Sequence, residues 1–298
     1  MEIKLPNGIY VGHAEVGDKS GVTVILAPEG AVGGVDVRGC APGTRETDLL
    51  RVEKAIDVCH AVVFTGGSAY GLAACDGVMR YFREKGIGHS VGAVKVPLVA
   101  GAVIFDIAEG LAHTPDAKTG YCAAVAAKNP QYDWGATGAG LGATVGKILG
   151  AAHCQKGGIG AATVNLGDAF VTAITVVNAM GDVIDPKTGG IVRGVHDGAG
   201  NLLGTSNLIL SGKLAQLAAG GNTTLSCVLT NVKLTKLEAN KLASIAHDGF
   251  AKTISPVHTD YDGDTVFALS KGDIPFDFTA LSVMAVEAVR QAIINAVK

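Results

Sequence analysis

The chain has 298 residues, a hydrophobic fraction of 48%, a charged fraction of 17% and a formal net charge of -3. This is ample core-forming material for one compact unit, and it argues against disorder. With 24 basic and 27 acidic side chains and no run of either sign, a nucleic-acid partner is not expected.

The N-terminal stretch lacks the positive flank and apolar core of a signal peptide, and no later stretch has the length of a membrane span. A cytoplasmic protein with no membrane partner is expected. The first strands fall at 22–26 and 61–64, short β-branched runs bounded by Gly or Pro. Gly66-Gly67-Ser68-Ala69-Tyr70-Gly71 follows the second. A nucleophile elbow would need Gly where Tyr70 stands, so Ser68 reads as the cap of a helix over 68–85.

A strand at 99–105 precedes the most glycine-dense segment, 135–147. That segment fails as a phosphate loop, because Leu141 stands where the first glycine is needed and Ile148 follows Lys147. Strands at 159–165 and 170–178 are joined too tightly for a crossover helix and predict a hairpin. The Gly-, Asn- and Ser-rich stretch 185–221 reads as a linker.

A small-residue loop then delivers Asn222-Thr223-Thr224 to a strand at 225–229. Thr235-Lys236-Leu237-Glu238 is a capping box opening a helix to about Asp248. Asp260-Tyr261-Asp262-Gly263-Asp264 imitates a calcium loop, but Thr265 and Lys271 stand where Gly and Glu are required. A last helix is predicted over 279–297. The mixture of strands and helices without a regular βαβ repeat indicates an α/β sandwich with largely antiparallel sheets.

The six cysteines form no CxxC pair and read as reduced thiols, several of them buried. The eight histidines show no metal-ligand spacing and receive no role. Asp262 and Asp264, two residues apart, would face one side of an extended segment; the plainer reading is a solvated turn.

Several of these segments together resemble one family. They are Gly34-Val35-Asp36-Val37-Arg38-Gly39 with Ala41-Pro42-Gly43-Thr44-Arg45-Glu46-Thr47-Asp48, then Thr65-Gly66-Gly67-Ser68-Ala69, the run ending at Lys147, and Asn222-Thr223. The family is that of the L-aminopeptidase/D-esterases, the β-peptidyl aminopeptidases and the nylon-oligomer hydrolases. The resemblance implies an αββα sandwich of the N-terminal-nucleophile kind, and one domain cut by itself into residues 1–222 and 223–298. It also implies a homotetramer of cleaved protomers.

The Asn-Thr junction resembles the nylon-hydrolase branch, whose site residues carry over to Thr223 as nucleophile, Asp262, Asp264, Lys147 and, most loosely, Asn178. Some members place a tyrosine where this chain has Phe105. The resemblance implies an N-to-O acyl shift at Asn222-Thr223 that frees an α-amino group to act as base. Lys147 would offset the paired aspartates' charge, and the Asn178 amide with a backbone N–H would receive the oxyanion. No metal or cofactor is called for. The expected substrates are linear amides or oligoamides, such as 6-aminohexanoate oligomers or short peptides. The alternatives are a strict aminopeptidase of the same family, an acyltransferase of the ornithine acetyltransferase type, and a non-enzymatic binding protein.

Overall fold

The computed structural model describes residues 2–107, 110–127, 133–212 and 221–298. Nine strands form its main sheet: β1 (Tyr10–Val16), β2 (Ser20–Val37), β3 (Thr44–Arg45), β4 (Val58–Thr65), β5 (Val99–Val103), β6 (Gly158–Leu166), β7 (Ala169–Asn178), β8 (Thr223–Val232) and β9 (Thr265–Ile274). Their order is β6-β7-β8-β9-β2-β4-β5-β3, with β1 paired to β2. All pairings are antiparallel except β8 with β9 and β4 with β5.

Five helices matter here: α1 (Ser68–Gly71), α2 (Ala74–Glu84), α3 (Ala117–Ala126), α4 (Lys236–Ala251) and α5 (Phe278–Ala296). The two parallel pairs need crossovers, and helices supply them: α1 and α2 between β4 and β5, α4 between β8 and β9.

The sheet folds over on itself through the 18-residue β2, giving four layers. Even-numbered Ile174 and Val176 of β7, with Leu225, Cys227 and Leu229 of β8, face Ile25, Val62 and Phe64 from the other half of the sheet. The alternate residues Val171, Ala173 and Val177 turn outward against α4 and α5. On the opposite outside, Val22, Val24, Ala61 and Val63 pack on α2 and α3. Strands buried on both faces read as continuous apolar runs, as these do. Each fully buried Leu or Val contributes about 1.5–3 kcal/mol. The expected αββα architecture is therefore present.

Glycine at Gly77 and Gly120 lets α2 and α3 cross almost backbone to backbone. A Cβ on Gly77 would lie 1.8 Å from the Ala117 carbonyl oxygen, and one on Gly120 would lie 1.9 Å from that of Ala74.

The capping box at Thr235 and Glu238 forms as expected. Ser68 does not cap. Gly67 and Ser68 both take left-handed φ values, 83° and 52°, and the Gly67 N–H is taken by Asp106 Oδ1 at 2.7 Å. The left-handed backbone at Ser68 departs from the extended conformation a capping residue takes, and the Asp106 carboxylate from the loop after β5 instead fixes the turn just ahead of it. The predicted 68–85 helix is broken between Gly71 and Ala74.

The stretch read as a linker is docked in its described part. Residues Ile191–Arg193 pair with Asp182–Ile184. The buried Asp182 carboxylate accepts from the Val195 N–H (2.8 Å), the Thr205 hydroxyl (2.9 Å) and the Thr205 N–H. Residues 213–220 lie outside the described ones. Cys59, Cys75 and Cys227 are buried free thiols, whereas Cys40 and Cys122 are exposed. Among the described residues no helix is long and apolar enough to cross a membrane.

Candidate active site

Sheet topology brings the candidate residues to one rim. Strands β8 and β9 run parallel, so their first residues lie together, and β7, antiparallel to β8, ends there. Thr223 opens β8 directly opposite Asn178, the last residue of β7. Asn222 pairs with Asp262 in an isolated parallel bridge just ahead of β9. Asn222, Thr223, Asp262 and Asp264 are all buried, the two aspartates at 1% exposure. That excludes the solvated-turn reading.

The carbonyl of the Asn222–Thr223 peptide is held from two sides. The Thr223 hydroxyl donates to the Asn222 carbonyl oxygen, and the Gly263 N–H donates to the same oxygen at 3.0 Å. Glycine is needed at 263, because a Cβ there would stand 2.8 Å from both Thr223 Oγ1 and the Ala41 carbonyl oxygen. Gly221, with φ 114°, turns the chain into the junction beneath the Phe105 ring.

Asp264 and Asp262 are held by different donors. Asp264 Oδ1 accepts the Thr224 N–H at 2.6 Å, and its Oδ2 accepts both the N–H and Nδ1 of His258. Asp262 Oδ2 accepts the N–H (3.0 Å) and hydroxyl (2.5 Å) of Thr259. Burial first, then the neighbouring Asp264 charge, pushes the Asp262 carboxyl up to about 6.

Lys147 reaches the rim from the short helical turn Lys147–Leu149. Its backbone is fixed by the bonds from the Gly146 N–H to the Gly181 carbonyl and from the Lys147 N–H to that of Met180. Its Nζ donates to Asn178 O (3.0 Å), Asn178 Oδ1 (2.7 Å) and Gly221 O (2.6 Å), accounting for all three ammonium hydrogens. Burial pushes Lys147 down to about 7. The Asn178 amide donates to the carbonyls of Phe105 (3.2 Å) and Gly221 (3.3 Å). In the intact chain it therefore serves the residue before the junction, and Gly263 holds the junction carbonyl itself.

The remaining motifs support this rim. The Arg38 and Gly39 N–H groups donate to the Asp264 carbonyl at 3.0 and 3.2 Å, and the Ala41 N–H donates to that of Asp262 at 2.9 Å. A Cβ on Gly39 would fall 2.3 Å from both the Asp262 oxygen and the Asp264 nitrogen. The segment 34–48 thus bears directly on the aspartates. Sequence reasoning missed His258, Thr259 and Gly263. Their proximity to the Asp-Gly-Asp was visible, but not that they turn back onto it. No group of three or more His, Cys, Asp or Glu side chains suited to a metal occurs among the described residues.

A buried hydroxyl held against the carbonyl of its own preceding peptide, at the end of a strand in an αββα sandwich, defines the class: an amide hydrolase of the N-terminal-nucleophile kind. Solved structures agree on the fold. A β-aminopeptidase from a Burkholderia species superposes with a TM-score of 0.70 at 21% identity, over 97% of this chain and 84% of that one. The L-aminopeptidase D-Ala-esterase/amidase of Ochrobactrum anthropi, described as a variant of the Ntn hydrolase fold, also gives 0.70, at 16% identity and the same coverage.

At the sequence level, the description of peptidase family S58 matches residues 6–298, and the chain belongs to that family. An uncharacterized aminopeptidase of Mycobacterium leprae is 40% identical over 92% of this chain and 79% of its own. A 6-aminohexanoate-oligomer endohydrolase of a Kocuria species is 34% identical over 98% of this chain and 84% of its own.

Proposed function

We propose that the chain cuts its own Asn222–Thr223 bond and that the freed Thr223 is the nucleophile toward linear amides and oligoamides. One observation carries the reading: the Thr223 hydroxyl and the Gly263 N–H converge on the Asn222 carbonyl oxygen. In processing, Thr223 Oγ attacks the Asn222 carbonyl carbon while Gly263 N–H receives the growing negative charge on its oxygen. The C–N bond breaks, the nitrogen takes a proton, and an ester joins Asn222 to the Thr223 oxygen. Water then hydrolyses the ester, leaving a carboxylate on residue 222 and a free amine on residue 223.

That amine, with a reference pKa of about 7.7–8.0, becomes the base for turnover. Asp262, half protonated near pH 6, is the group suited to pass a proton to the leaving amine. Lys147 fixes the carbonyl of Gly221 and, at about 7, can exchange a proton near neutral pH.

Mass spectrometry of purified protein should find fragments of residues 1–222 and 223–298; intact chain after prolonged incubation would end this proposal. For substrate, the endohydrolase-named relatives support 6-aminohexanoate oligomers, whereas the aminopeptidase-named relatives, 40–41% identical, support substrates with a free amine. Digestion of 6-aminohexanoate trimer, its N-acetylated form and an aminoacyl p-nitroanilide decides between them. Cleavage of the anilide alone would replace the oligoamide reading with the aminopeptidase one and leave the Thr223 chemistry untouched. The cleaved protomers are read as a cytoplasmic homotetramer, to be checked by light scattering.

A further inference from the structure

His258 stands in the turn before β9 with a left-handed φ of 55°, an uncommon conformation for a residue with a Cβ. This conformation aims two of its donors at one atom: the backbone N–H and Nδ1 lie 3.1 and 2.8 Å from Asp264 Oδ2. Because Nδ1 faces a carboxylate, it is assigned the ring proton. The other oxygen of Asp264 holds the Thr224 N–H at 2.6 Å, the amide immediately after the proposed nucleophile. Asp264 therefore spans the gap between the His258 turn and the first peptide of β8.

The back of the imidazole is packed. His247 of α4 meets it edge-on at 4.8 Å between ring centroids, and Phe250 lies at 6.0 Å. The Nε2 of His247 is 3.0 Å from the Asp36 carbonyl, and burial pushes that ring down to about 4, so it is neutral at pH 7 and places no charge beside His258. The charged and titratable groups around His258 are thus Asp264, with Asp262 beyond it, His247, and Asp36 and Arg38 behind His247.

We propose that His258 is a positioning residue: through Asp264 it fixes the peptide that carries the Thr223 hydroxyl, for self-cleavage and for turnover alike. The proposal rests on the reading of Thr223 as nucleophile. By supplying two of the three donors on Asp264, His258 fixes that carboxylate beside Asp262, whose own carboxyl the neighbouring Asp264 helps to raise.

Two amide variants separate this role from plain packing. In His258→Asn the side-chain NH2 falls where Nδ1 was, and Asn tolerates the left-handed conformation; in His258→Gln the donor falls one atom further out, past Asp264. Both lose the ring against His247 and Phe250 equally. The rates of self-cleavage and of oligoamide hydrolysis would be followed from pH 5 to 9. His258→Asn should stay within about threefold of wild type with its acid limb unmoved, whereas His258→Gln should lose about tenfold or more and shift that limb.

Equal losses in both variants, or failure of both to fold, would place the role in ring packing and overturn the proposal. So would a wild-type profile for His258→Gln. A His258→Gln that fails to fold beside a folded His258→Asn would make the bond structural and would likewise overturn it. A wild-type chain that never cleaves would instead overturn the Thr223 reading itself, which keeps the two failures distinct.

Discussion

Replacing Lys147 with Met tests whether a buried cation organises the junction. The ammonium gives three hydrogen bonds, to Asn178 O, Asn178 Oδ1 and Gly221 O. Bonds to charged groups contribute about 1.5–3 kcal/mol each. Against them stands burial, which pushes Lys147 from 10.5 to about 7; at about 1.4 kcal/mol per pKa unit this costs the fold about 5 kcal/mol where the lysine is charged. Three such bonds, about 4.5–9 kcal/mol together, stand against that cost, so the sign and size of the net stability change at neutral pH do not isolate the burial of the charge. The pH dependence is not. The folded-state value lies below the unfolded one, so between pH 7 and 10.5 the unfolded chain binds more protons and stability rises with pH.

In an uncleavable Thr223→Ala background, urea unfolding at pH 6.5 and 9.5 should show the lysine protein gaining about 3 kcal/mol relative to its Lys147→Met counterpart. Parallel pH dependence of the two, within about 0.5 kcal/mol, would show that the lysine titrates normally and would refute this account of the site. In the otherwise wild-type chain, Lys147→Met should slow self-cleavage about tenfold or more, because the Gly221 carbonyl loses its anchor.

Thr223→Ala should abolish both processing and turnover, whereas Thr224→Ala, which removes a buried hydroxyl without a partner, should still process; fragment analysis by mass reads both. Asp262→Asn should flatten the acid limb near pH 6 in the rate profile, since the carboxyl that titrates there is gone. A raised folded-state value also means that the wild-type chain loses stability as pH rises from about 4 to 6, and denaturation should show this loss absent in the variant. Gly39→Ala pushes a Cβ into the Asp262 carbonyl and the Asp264 nitrogen and should cost processing about tenfold or more; normal fragments would show that the Asp-Gly-Asp segment gives way freely.

Local chemistry was enough to find several of the regular elements, though not the strands at Tyr10–Val16 and Thr265–Ile274 or the helix at Ala117–Ala126. Short β-branched apolar runs located the strands around 22–26, 61–64, 170–178 and 225–229, and the Thr235–Glu238 box located the start of α4, because both signals act within a few residues. The candidate site was legible through its motifs: Thr223, Asp262, Asp264, Lys147 and Asn178 meet at one rim, although they are spread over more than a hundred residues. The structure decided what depends on partners distant in sequence. Ser68 lost its capping place to the left-handed turn that Asp106 fixes at Gly67, and the apparent linker is clamped by Asp182 of the strand it pairs with.

The same limit hid His258 and Gly263. A histidine read alone is more often structural than functional, and a glycine between two aspartates looks like turn chemistry. Only the parallel alignment of β8 with β9 turns the Gly263 N–H onto the Asn222 carbonyl, and only the left-handed turn before β9 folds His258 back onto Asp264. Residue types and their local periodicity are properties of the chain. The direction in which a buried donor points is set by tertiary packing, and in this protein that direction is what makes an ordinary Asn-Thr peptide a candidate for cleavage.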